Sequence, residues 1–140
     1  MNATLLNVTP STFIAPLMDQ QVPAGFPSHA DDFSQTSLDL SAWIAPNSAA
    51  TFFVRASGES MKDAGIQDGD ILVVDRSLAA TDKRIVIAAL NGELLVKRLS
   101  ISNGHWELRS ENPAFPPVVI SPNDEMVIWG IVTFVIHKPV

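Results

Sequence analysis

Two apolar runs, Arg84 to Leu90 (RIVIAAL) and Glu93 to Leu99 (ELLVKRL), are separated by the pair Asn91-Gly92. Both residues accept the positive φ angles of a type I′ turn, whose twist matches that of paired strands, so the runs are expected to fold back as an antiparallel hairpin. Asn103-Gly104 repeats the device and leads into His105 to Arg109. Thr51 to Ala56, Ile71 to Asp75, Val118 to Ile120 and Met126 to Ile136 are further runs with strand character, each bounded by turn-forming residues. With no βαβ rhythm and no repeat of fixed period, this order predicts a mainly β, compact fold of twisted antiparallel sheets.

The first part of the chain has another texture. Pro10, Pro16, Pro23 and Pro27 punctuate residues 1–36. Each proline removes an amide donor and pushes its predecessor toward extended geometry, so this region is expected to be an extended N-terminal arm ahead of a β-rich domain at 37–140. Ser37 to Ile44 (SLDLSAWI) reads as one short helix ended before Pro46, and Ser60 to Ala64 as another, closed by Gly65.

Charge narrows the function classes. The 140 residues carry a formal net charge of -6, and Asp19, Asp31, Asp32 and Asp39 all precede the first basic residue, Arg55. A nucleic-acid binder needs a basic face to displace counterions from phosphates, so direct sequence-specific DNA binding is not expected. The N-terminal region has neither the basic start of a secretory signal nor an apolar run long enough to span a bilayer, which points to a cytoplasmic protein without membrane contact. No cysteine is present, which removes thiol catalysis and disulfides.

Ser60 lies in SGESMKDAGIQDGD, and Lys97 follows in GELLVKRL. A serine hydroxyl is a weak nucleophile until a base takes its proton. An ordinary lysine is neutral in roughly one molecule in 2,500 at pH 7, so a lysine base has to be buried to serve. Strand alternation puts Lys97 on one face with Leu95 and Leu99, an apolar setting, and opposite Leu94, Val96 and Arg98. Ser60 comes two residues after Gly58 and opens a short helix, where free backbone N–H groups gather. The amides of Ser60 and its neighbour Glu59 are the candidate oxyanion hole. Such a pair needs no third member to orient it.

The run FFVRASGESMKDAGIQDGDILVVD resembles the catalytic segment of the LexA/UmuD family of self-cleaving bacterial SOS proteins, with Ser60 at the family serine. Gly92 to Leu99 resembles the second family signature and places the family lysine at Lys97. Ala24-Gly25, followed by FPSHADD, resembles the small-residue cleavage site. The similarity runs over about residues 20 to 137 and is closer to the UmuD branch, with its mobile-element relatives MucA and RumA, than to the repressors. Only 24 residues precede Gly25, too few for a helix-turn-helix domain.

That resemblance implies a LexA-like peptidase fold with dimerisation through the β-rich domain and cleavage after Ala24 stimulated by a RecA filament on single-stranded DNA. It further implies that the processed homodimer assists a UmuC-like error-prone polymerase in translesion synthesis. No cofactor or metal is implied. The competing reading keeps the fold and makes the chain a non-catalytic dimeric module regulating a polymerase. A signal-peptidase-like reading would need a membrane anchor.

The remaining conspicuous residues read as structural. His29, His105 and His137 are scattered, without metal-ligand spacing. Asp68 and Asp70 flank Gly69 as turn formers, not as a calcium loop. Trp43, Trp106, Trp129, Phe52, Phe53 and Phe134 are expected in the core or at a dimer interface. Met61 lines the cleft or packs beneath the Ser60 turn.

Overall fold

A computed structural model describes residues 1–6, 12–18 and 35–140. It divides into two compact units, Met1–Thr9 with Asn47–Val140, and Pro10–Pro46.

In the larger unit the strands are β1 (Asn2–Leu6), β4 (Thr51–Ser57), β5 (Ile71–Asp75), β6 (Ile85–Leu90), β7 (Glu93–Ser102), β8 (His105–Arg109), β9 (Val118–Val119) and β10 (Met126–Ile136). They form one antiparallel sheet in the order β1-β4-β5-β10-β6-β7-β8-β9. A further pairing of β1 with β7 joins the sheet back on itself, so six strands make a closed, barrel-like ring and β8–β9 extend from it. Closure removes the exposed strand edges that an open sheet of this size would have to protect. The mainly β, LexA-like architecture expected from the sequence is the one observed.

Both Asn-Gly pairs turn as expected. Asn91 and Gly92 have φ of 49° and 86°, and Asn103 and Gly104 have 51° and 77°. The first turn sets Leu90 opposite Glu93 and brings Val86 opposite Lys97. Ile71–Asp75 and the middle of β7 are buried on successive residues, because these strands have a covered face on both sides. One core cluster gathers Val54, Ala56, Met61, Ile66, Leu72 and Val96, and a second gathers Val86, Ala88, Leu99, Leu108 and Ile131.

β10 is shared between two partners, β6 along its first half and β5 along its second, with register shifts between Ile128 and Gly130 and between Val132 and Phe134. Gly130 sits at this corner. A Cβ there would stand 2.7 Å from Val74 Cγ1 and 2.9 Å from the Asp75 carbonyl oxygen, so only glycine lets the strands approach this closely.

The smaller unit holds β2 (Ile14–Met18), β3 (Gln35–Asp39) and α1 (Leu40–Ile44). β2 and β3 pair antiparallel, with Ile14 opposite Asp39 and Met18 opposite Gln35. The helix expected over Ser37–Ile44 therefore begins later. Asp39 ends the strand and caps the helix, its Oδ1 accepting from the Ala42 N–H at 3.0 Å, while Ser37 and Leu38 are engaged by β2. Residues 2–6, read as part of the arm, are a strand of the main sheet.

Candidate active site

β4 ends at Ser57, and the chain turns sharply at Gly58, whose φ is 91°. The Gly58 N–H donates to Asp68 Oδ1 at 2.8 Å, which ties the turn to the QDGD segment. Asp70 in the same segment accepts from the Gln67 N–H at 2.8 Å and meets His137 Nδ1 at 2.6 Å. These acids are turn and tether residues. Among the described residues no group of three or more His, Asp or Glu is placed to hold a metal ion.

The short helix expected from Ser60 to Ala64 is a 3-10 turn over Lys62–Ala64, closed by Gly65 at φ 80°. Met61 is fully buried in the first core cluster, which resolves its two readings in favour of packing beneath the turn. Anchored this way, the Ser60 side chain is aimed inward and is only 1% exposed.

Lys97 reaches the same spot from the middle of β7 and is 7% exposed. Its Nζ lies 3.5 Å from Ser60 Oγ and donates to Ser110 Oγ at 2.7 Å, with the Phe115 ring centroid 6.0 Å away. The sequence separation of 37 residues is thus closed by the fold. The third group present is the Met1 amine, which donates to Ser60 Oγ. Burial, and then the neighbouring Lys97 charge and hydrogen bond, push that amine down from 8.0 to about 6.

Two residues of the site escaped sequence reasoning. Ser110 is the closest partner of Lys97, and Asn112 donates through Nδ2 to the Glu59 carbonyl oxygen at 2.9 Å. That carbonyl also accepts from the Lys62 N–H at 3.2 Å. It belongs to the peptide group whose N–H is that of Ser60, so fixing the oxygen fixes the direction of the candidate oxyanion donor. The signal was present as a polar run followed by prolines, Ser110-Glu111-Asn112-Pro113, just after a strand. Ser110, Asn112 and Phe115, with Asp63, Pro116 and Pro117, help line a cavity of about 390 Å³ beside Lys97. Ala24 and Gly25, the expected cleavage site, lie outside the described residues.

Among the aromatics, Phe52 and Trp129 pack edge to face at 6.3 Å, and Arg76 stacks over both rings at 5.1 and 5.6 Å. Trp43 is largely exposed rather than in the core. Among the described residues no helix is long and apolar enough to cross a membrane.

The chain is similar to known proteins over most of its length. Protein ImpA of Salmonella typhimurium is 44% identical over 133 residues, covering 91% of this chain and 86% of that protein. Protein MucA of Escherichia coli is 43% identical over 127 residues, covering 89% and 86%. The LexA repressor of Bordetella pertussis is 35% identical over 130 residues, covering 93% of this chain but 59% of the repressor. The resemblance to the LexA/UmuD group, and to its MucA-like branch, is borne out by these relatives. The family model described as Peptidase S24-like matches residues 16–133, and at that coverage the chain belongs to the Peptidase S24-like family.

Proposed function

We propose that the chain is a self-processing serine protease in which Ser60 is the nucleophile and Lys97 the base. One observation carries the reading: a buried hydroxyl and a buried amine, far apart in sequence, meet at 3.5 Å. Lys97 Nζ takes the Ser60 proton as Oγ attacks the carbonyl carbon of Ala24. The tetrahedral oxyanion is held by the backbone N–H groups of Ser60 and Glu59. Collapse breaks the Ala24–Gly25 bond, the amine of Gly25 leaves with the proton from Lys97, and water then hydrolyses the ester on Ser60 by the same base. The separation of 3.5 Å tightens when substrate is bound, as catalytic hydrogen bonds commonly do.

The family relationship and the names of the relatives support placing this chemistry in SOS mutagenesis. In this reading a RecA filament on single-stranded DNA stimulates the cut in the cytoplasm. The form from Gly25 to Val140 then acts as a homodimer with a UmuC-like polymerase in translesion synthesis. In this reading the stretch up to residue 36 carries the cut site and residues 37–140 the peptidase and dimerisation function, with Asn2–Leu6 paired into the main sheet.

Incubating the pure chain at about pH 10, where lysine bases lose their proton, and reading its mass tests the chemistry. A fragment beginning at Gly25 that disappears in Ser60→Ala supports it. The same fragment formed by protease-free Ser60→Ala protein rules it out, and an intact mass that RecA filament also leaves unchanged favours the non-catalytic module.

A further inference from the structure

β1 lies in a groove between β4 and β7. It pairs with β4 along its length, from Asn2 opposite Ser57 to Leu6 opposite Phe53. It meets β7 at its start, where Asn2 stands opposite Leu95 and the Val96 N–H donates to the Met1 carbonyl at 2.9 Å. Met1 is 8% exposed and packs in the cluster of Val54, Ala56, Met61 and Val96. At the head of the strand, its nitrogen donates to Ser60 Oγ.

The direction of this strand matters. When a serine opens a peptide bond, the carbonyl carbon stays on the oxygen and the amine departs, so the segment after the cut begins with a nitrogen beside the nucleophile. β1 begins with a nitrogen on Ser60 Oγ and runs away antiparallel to β4, which is the placement of an amine product. No β1 residue lines the cavity beside Lys97, which leaves that volume for the acyl half.

We propose that Met1–Leu6 occupies the half of the substrate groove that receives the residues following the cut bond, so that β1 competes with the chain's own cleavage segment and must leave before Ser60 is acylated. The ligand of this half-groove is an extended peptide held by backbone pairing on β4. Such pairing makes little demand on sequence, so one groove takes both MNATLL and a segment beginning at Gly25. The inference rests on the Ser60–Lys97 reading of the site.

Thr4→Pro tests it, since Thr4 is exposed and the proline breaks strand pairing without emptying the core. If β1 holds the groove in about nine molecules of ten, releasing it raises the rate of self-cleavage at alkaline pH about tenfold, because the competent fraction scales the rate. A folded Thr4→Pro protein that cleaves no faster than the unmodified chain overturns the proposal. If the proline prevents folding, an unmutated β1 decides. In full-length Ser60→Ala protein, which makes no cut, a synthetic peptide of residues 22–30 (VPAGFPSHA) is expected to strip hydrogen-exchange protection from Asn2–Leu6 in a dose-dependent way. Protection unchanged at millimolar peptide overturns the proposal too. Combining Ser60→Ala with Thr4→Pro separates the two readings. A fragment formed without Ser60 sinks the serine mechanism, whereas Ser60-dependent cleavage at an unaltered rate sinks only the displacement of β1.

Discussion

Lys97 stands inside a long strand, opposite Val86 of β6, with Arg98 and Leu99 next in line paired to β8. Ser60 stands on a turn beyond the end of β4, where no ladder reaches. Its position depends on ties from elsewhere: Asp68 to the Gly58 N–H, Asn112 to the Glu59 carbonyl, and the Asp63 N–H to the Glu111 carbonyl at 2.9 Å. Lys97 is therefore fixed by backbone pairing shared with the whole barrel, and Ser60 by two side-chain ties and one backbone bond. Damage to the first should register in stability, and damage to the second in rate.

The sharpest break removes either partner. Ser60→Ala and Lys97→Met are each expected to lower formation of the Gly25 fragment on the order of 10⁴-fold or more, with melting temperatures close to the unmodified protein. Intact mass after alkaline incubation and a thermal melt check the two halves of that statement. Loss of folding in both variants would mean that the pair is structural.

Next comes the strand. Leu99, fully buried two residues past Lys97, is expected to cost about 2–5 kcal/mol when cut back to alanine. Urea unfolding measures the loss, and cleavage by the fraction still folded should be nearly normal.

The turn should behave in the opposite way. Asn112→Ala removes one of the two donors to the Glu59 carbonyl, leaving the Lys62 N–H, and costs only about 1 kcal/mol of stability. Misdirecting the Ser60 N–H is expected to slow cleavage about 10²-fold. A rate loss no larger than the stability loss explains would erase the contrast between the two regions.

The smallest effect concerns β1. The Met1 amine, pushed down to about 6, docks preferentially when neutral. Docking is strongest above the ordinary value of 8.0, weakens as pH falls toward 6, and changes little below that. Exchange protection of Asn2–Leu6, corrected for intrinsic rates, should decline over that window. A flat profile would mean that the amine is solvated.

The same contrast explains what could be read from the chain. Hairpins announce themselves locally, because Asn91-Gly92 and Asn103-Gly104 state their backbone angles in their side chains. Ser60 and Lys97 stood out as a serine after a glycine turn and a lysine among leucines and valines. β1 did not, because the alternation in NATLL covers only Asn2 to Leu5 and Leu6 breaks it, and its strand partners β4 and β7 are distant in sequence. β2 was masked by Pro16, which the structure accommodates opposite Ser37. Asn112 lies 53 residues from Glu59 and reaches it only once the β7–β8 hairpin has folded. Gly130 looked like one residue of a strand, and its necessity comes from Val74 and Asp75, which no local pattern reveals.

β2 is zipped to β3, and β1 has its own ladder on β4. In the proposed reaction a cut between Ala24 and Gly25 falls in the chain that joins β2 to β3, so β2, upstream of the break, remains bonded to β3 downstream, and β1 pairs with β4 again once the groove is vacated. The severed piece then stays aboard as a noncovalent guest, and its departure is a dissociation with a rate constant of its own. A denaturing gel would count two polypeptides where a sizing column in plain buffer still finds them travelling together.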